Sequence, residues 1–146
     1  MYSDADITHI GEGLLARTLP KTAWTHAAHC IACIYLLRQR PDIDVEKELP
    51  GIIWRYNAAS GTANSDSDGY HETITRFYIA LISAYLARVA GSSALSDIVR
   101  DFLASPGARR DLPLDYWSKD RLMSVEARRV WVAPDRAALD FKSLMD

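Results

Sequence analysis

The segment TAWTHAAHCIACIYLLRQR, from Thr22 to Arg40, is the most strongly helical part of this chain. Pro41 follows it and ends it, and the basic Arg38 and Arg40 suit the negative end of a helix dipole. On a helical wheel, one face carries His26, Cys30, Cys33, Ile34 and Leu37. The opposite face carries Ala28, Ala32, Tyr35 and Gln39. The pattern therefore predicts a helix with one apolar face that includes an imidazole.

Proline and glycine divide the rest of the chain into further helical segments, with no convincing pair of strands and no internal repeat. These segments predict helices over 4–19, 44–60, 70–90 and 93–104. Asp44 and Ser93 are the expected N-caps of two of them. Pro50 interrupts one segment, which indicates either a kink or the start of a new helix.

Residues 112–146 lack the long helical segments of the rest of the chain and are predicted to form an irregular helical tail. Ser124 is the expected N-cap of a short helix within it. Trp117 and Trp131 are large aromatic residues of the kind that is normally buried, so we expect the tail to pack on the bundle. A tail that covers the site or contacts a partner is the alternative. The predicted fold class is all-α, with residues 1–146 forming a single-domain bundle of four or five main helices.

Composition excludes several classes of protein. Seventeen basic and 19 acidic residues among 146 give a formal charge of −2, which lacks the basic footprint of a general nucleic-acid-binding protein. No segment approaches the roughly 18 apolar residues of a membrane span, and the first residues are acidic where a signal peptide is basic. We therefore expect a cytoplasmic protein that binds neither nucleic acid nor membrane, in which Cys30 and Cys33 are thiols of the core.

Three histidines are the candidate metal ligands. His26 and His29 form an H-x-x-H pair on one helix, close enough for two imidazoles to reach one ion. His71 opens a second helix and lies along its apolar stripe. Three nitrogen ligands and a water form a familiar catalytic geometry, and imidazole suits Zn, Ni or Fe. The alternatives are histidines satisfied within the core or a structural hydrogen-bond network between helices.

Glu72 is the candidate catalytic residue, because it follows His71 directly and could serve as a general base or a fourth ligand. It could equally be an acid in the first turn that interacts favourably with the positive end of the helix dipole, with Gly69 as N-cap. The candidate substrate-binding residues, each of which could also be ordinary packing, are Trp24, Tyr56, Asn57, Tyr70 and Thr75.

The motifs in combination resemble an uncharacterised family of small bacterial proteins. The resemblance depends on W-T-H-A-A-H at 24–29, R-Y-N at 55–57 and Y-H-E-T-I-T at 70–75. Segments 124–128 and 131–135 are similar to the family's tail, so the resemblance covers most of residues 14–135. It implies that the histidines and Glu72 belong to the family's motifs and that the cysteines do not. No established activity accompanies the family.

Two functions remain open from the sequence. The first is a metal-dependent enzyme acting on a small molecule at His26, His29 and His71, with Glu72 as proton carrier. The second is a non-catalytic protein that binds a small molecule, or an interaction partner, at a histidine-lined pocket. A homodimer is compatible with either, given the four tryptophans and seven tyrosines. The two functions differ in whether the imidazoles converge on an open coordination position.

Overall fold

The structure, a computed structural model, describes residues 1–145. In this part of the chain every regular element is a helix, and no strand occurs. The α-helices are α1 (Asp4–Ala16), α2 (His26–Gln39), α3 (Val45–Ala59), α4 (Glu72–Ala87), α5 (Leu95–Leu103), α6 (Lys119–Leu122) and α7 (Val125–Arg129). Five of them are long enough to form a bundle, and the rest belong to the tail. The predicted all-α class is confirmed.

Helix α2 lies at the centre of the bundle, in contact with α1, α3, α4 and α5. Every residue from Cys30 to Leu36 is buried. The prediction of a single apolar face is therefore wrong, because Ala32 and Tyr35, on the opposite face, are buried as well. Tyr35 packs towards α1, where its hydroxyl donates a hydrogen bond of 2.8 Å to Glu12. A helix that is apolar on all sides is a core helix, and α2 fits that description.

The boundaries of the helices follow from their caps. Helix α2 begins at His26 rather than Thr22, because the Thr25 hydroxyl accepts a hydrogen bond of 3.2 Å from the Ala28 N–H. Asp44 caps α3 as predicted, whereas Ala94 precedes α5 with no side-chain hydrogen bond, so the expected Ser93 cap is wrong. His71 caps α4 through its imidazole, and the alternative of Gly69 as N-cap is also wrong.

Helix α3 continues through Pro50 as one helix. Proline has no N–H, so the carbonyl of Glu46 loses its usual intrahelical donor. The guanidinium of Arg76 on α4 donates to that carbonyl instead. The proline that indicated a break in the sequence therefore provides a contact between α3 and α4.

The tail packs on the bundle through α4. Trp117 is fully buried, and its indole N–H donates to the Val132 carbonyl at 3.0 Å. The Thr73 hydroxyl of α4 donates to the Val130 carbonyl at 2.9 Å and accepts from the Val132 N–H at 3.2 Å. Trp131 is 43% exposed, so the expectation of burial holds for Trp117 only.

Two other features complete the fold. Ser124 caps α7 as predicted, since its side chain accepts from the Ala127 N–H. Crossing a bilayer takes a longer and more apolar helix than any that the structure describes. The bundle thus places α2, α3 and α4 side by side, and the site lies between them.

Candidate functional site

A cavity of about 550 Å³ lies between α2, α3 and α4, and the loop after α5 contributes one residue to it. Six of the predicted site residues line it, namely Trp24, His26, His29, Asn57, His71 and Thr75. They come from the turn before α2, from α2 itself, from α3, and from the start of α4. The volume falls within the range of roughly 300–1,000 Å³ that is typical of small-molecule sites.

Most of the remaining wall is apolar. The aliphatic and sulfur-containing side chains that line the cavity are Cys30, Cys33, Leu49, Ile53, Ile74, Ile79 and Ile82. Tyr78 adds an aromatic ring, which meets the imidazole of His26 edge-on with ring centroids 5.1 Å apart. An apolar wall with a few placed polar groups is the usual composition of a ligand pocket.

His26 and His29 each donate one ring N–H to a backbone carbonyl. Nε2 of His26 lies 2.9 Å from the Ala108 oxygen, and Nδ1 of His29 lies 2.9 Å from the Thr25 oxygen. Since a carbonyl oxygen only accepts, each of these nitrogens carries the proton. The second ring nitrogen of each histidine has no partner among the described residues, and it is an acceptor in the neutral imidazole.

His71 uses both of its ring nitrogens within the fold. Nε2 donates to the Leu122 carbonyl at 2.7 Å, and Nδ1 accepts from the Ile74 N–H at 3.1 Å. Burial lowers the pKa of His71, because the charged imidazolium loses hydration there. His71 therefore joins the tail to the start of α4 as a neutral ring, and no lone pair remains for another ligand.

Residues 1–145 contain no group of three or more His, Cys, Asp or Glu side chains arranged to hold a metal ion. The three imidazoles line one cavity, yet each is bound to a different backbone carbonyl. A shared ion would need at least the N-cap hydrogen bond of His71 to break. The metal set of His26, His29 and His71, with Zn, Ni or Fe, stays a prediction.

Three predicted site residues lie outside the lining of the cavity, namely Tyr56, Tyr70 and Glu72. Glu72 accepts from the Tyr70 hydroxyl at 2.5 Å and from the Arg76 Nε at 3.2 Å, so both of its oxygens are engaged. Tyr56 is buried behind Trp24, with ring centroids 5.2 Å apart, and donates to the Leu19 carbonyl. These residues support the wall of the cavity without forming it.

Arg110 and Tyr78 line the cavity but were not among the predicted site residues. Tyr78 follows His71 by seven positions on the same apolar stripe, so helical spacing from His71 could have identified it. Arg110 reaches the cavity from the loop after α5, and no local pattern marks it. Its placement depends on how this loop packs against the bundle.

The two cysteines are buried free thiols, as predicted. Burial raises the pKa of Cys30 to about 12 and also raises that of Cys33, so both remain protonated at neutral pH. Because a reactive or metal-bound cysteine needs the thiolate, we assign both to the apolar wall of the cavity.

We expect His29 to make unfolding sensitive to pH. Burial lowers its folded pKa to about 4 from an unfolded value of 6.5, so the unfolded chain binds the proton more readily. Its stabilising contribution is complete above pH 6.5 and decreases as the pH falls towards 4. His29 is nevertheless exposed to solvent, and solvent screening reduces the contribution to about 1 kcal/mol.

Urea unfolding of the parent and of His29→Phe, measured at several pH values, tests this expectation. Phenylalanine retains a ring beside Trp24 and does not titrate. The parent should lose more unfolding free energy than the variant between pH 6.5 and 4, since carboxylates affect both proteins equally. Parallel pH profiles would show that the folded His29 titrates normally.

Comparisons with family models, curated proteins and solved structures give no match to this chain. The resemblance of its motifs to a bacterial family therefore stays a prediction. The function of this chain is therefore inferred from the cavity.

Proposed function

We propose that this chain binds a small molecule in the histidine-lined cavity and does not catalyse its conversion. The supporting observation is that six predicted site residues, which are scattered from 24 to 75 in the sequence, surround one cavity of about 550 Å³. The volume is sufficient for a small organic molecule.

The hydrogen bonds around the cavity favour binding over catalysis. A general base must reach the proton that it removes, but Glu72 lies outside the lining and is held by Tyr70 and Arg76. His71 is held by two hydrogen bonds of its own. Neither group is therefore free to exchange a proton with a molecule in the cavity.

The polar groups that remain free suit recognition. His26 and His29 each keep one unpartnered acceptor nitrogen within the described structure, and apolar side chains surround them. A ligand with an apolar body would gain from leaving water, and each acceptor could add a contact to any hydrogen-bond donor that the ligand carries. The cavity thus combines general affinity with a few specific contacts.

Binding of N-phenyl-1-naphthylamine, a neutral fluorophore whose emission rises in apolar surroundings, tests this proposal. We expect the parent to bind it and Thr75→Trp to bind it about tenfold more weakly, because the larger ring fills the cavity. The matched control is Ser83→Trp, which adds the same ring to an exposed position of the same helix. This control should bind like the parent.

Equal affinity in all three folded proteins would place the fluorophore elsewhere on the surface and contradict the proposal. The metal-dependent enzyme is the alternative from the sequence. It predicts instead that Zn, Ni or Fe added to chelator-treated protein raises the melting temperature of the parent and not that of His26→Ala.

A further inference from the structure

Arg110 is a cation without an anionic partner at the edge of the cavity. Its guanidinium pairs with no carboxylate of residues 1–145, although its neighbours in sequence do pair. Arg109 binds Asp111 and Asp115, each at 3.2 Å, so the acid adjacent to Arg110 is already engaged. Arg110 is exposed and still lines the cavity, which places its charge where a ligand would enter.

The rest of the wall has no charge that would offset Arg110. Among the described residues that line the cavity, none is Asp or Glu. Burial lowers the pKa of His26 and His29, and the charge of Arg110 lowers both further. The guanidinium therefore lies within electrostatic reach of both imidazoles.

Trp24 adds an independent sign of a missing acceptor. Its indole Nε1–H is buried and meets no hydrogen-bond partner in the described part of the chain. Buried donors are nearly always paired, so an unpaired one in a cavity wall needs an explanation. Trp24 packs against His29, with ring centroids 3.8 Å apart.

We infer that the ligand is an organic acid, with an apolar body inside the cavity and one ionised carboxylate paired with Arg110 at its edge. This inference rests on the proposed function, because it names the class of molecule that the cavity takes. A single guanidinium matches a carboxylate in charge and in its two-pronged geometry. A phosphate dianion would leave one charge unpaired against an apolar wall, which is costly.

The test compares two molecules of similar size and the same ring system, 1-naphthoate and the neutral 1-naphthalenemethanol. Each is titrated against protein loaded with N-phenyl-1-naphthylamine, and its affinity is read from the loss of fluorescence. In the parent we expect naphthoate to bind about tenfold more tightly than the alcohol. Arg110→Gln should abolish this preference while leaving the affinity for the alcohol unchanged.

Arg100→Gln is the matched control, since it removes the same charge from α5 at a position that does not line the cavity. It should keep the preference for naphthoate. If both molecules displace the fluorophore equally from the parent, or if the preference survives in Arg110→Gln, the organic-acid inference is wrong and the proposed cavity remains. If the fluorophore itself fails to bind, both the inference and the proposed function are overturned.

Discussion

Gly69→Ala is expected to lower the free energy of unfolding by about 3 kcal/mol, one of the two largest losses that we predict. Gly69 adopts a left-handed backbone conformation with φ of 79°. A Cβ atom there would lie 2.4 Å from the Ala63 carbonyl oxygen and 2.7 Å from Oδ1 of Asn64. Backbone strain and a steric clash therefore combine at one position.

The clash would also disturb the cavity. Oδ1 of Asn64 accepts hydrogen bonds from Nδ2 of Asn57 at 3.1 Å and from the Tyr70 N–H at 3.0 Å. Asn57 lines the cavity, so displacement of Asn64 would remove a hydrogen bond that holds this wall residue in place. We expect Gly69→Ala to bind N-phenyl-1-naphthylamine more weakly than the parent does.

Gly61→Ala is the control for backbone strain alone. Gly61 has a φ of 86°, close to that of Gly69, but no atom lies within 4 Å of the position of its Cβ. Its loss should be about 1 kcal/mol, as expected for a left-handed residue without a clash. Urea unfolding of both variants provides the comparison, and equal losses would show that the clash with Ala63 and Asn64 contributes nothing.

His71→Ala is expected to cost about 3 kcal/mol for a different reason. The substitution removes the N-cap of α4 and leaves the buried Leu122 carbonyl without its donor. The first loss is about 1 kcal/mol, and the unsatisfied carbonyl accounts for the remainder. Thermal and urea unfolding measure the total.

His71→Asn separates the two contributions. Asparagine is a favourable N-cap but too short to reach Leu122, so this variant should recover about 1 kcal/mol relative to alanine.

Repeating both measurements after chelator treatment distinguishes the hydrogen-bond role of His71 from metal ligation. If His71 acts through its hydrogen bonds, the losses are the same with and without the chelator. A loss that disappears after chelation would favour the predicted metal set.

Much of the fold could be predicted from the sequence because helix signals are local. Proline positions and side-chain caps such as Asp44 and Ser124 act within one turn, and both caps are present in the structure. The complete burial of α2 could not be predicted from its own wheel. It depends on α1 covering the side that includes Tyr35.

Of the candidate site, the histidines could be predicted from the sequence, but their hydrogen-bond partners could not. His26, His29 and His71 were identified from spacing along single helices, and all line the cavity. The hydrogen bonds of His26 and His71 could not be foreseen, because their partners Ala108 and Leu122 are distant in sequence and lie in short helical segments after α5. Arg110 was missed for the same reason.

Intermolecular nuclear Overhauser effects between N-phenyl-1-naphthylamine and isoleucine δ1-methyl groups test the central claim most directly. Four isoleucines line the cavity on α3 and α4, namely Ile53, Ile74, Ile79 and Ile82. Ile7 and Ile98 are buried in α1 and α5 but do not line the cavity, so they are internal controls. We predict contacts from the fluorophore to the four cavity methyls and none to the two controls. Contacts to the controls alone, or to none of the six methyl groups, would contradict the assignment of this cavity as the binding site.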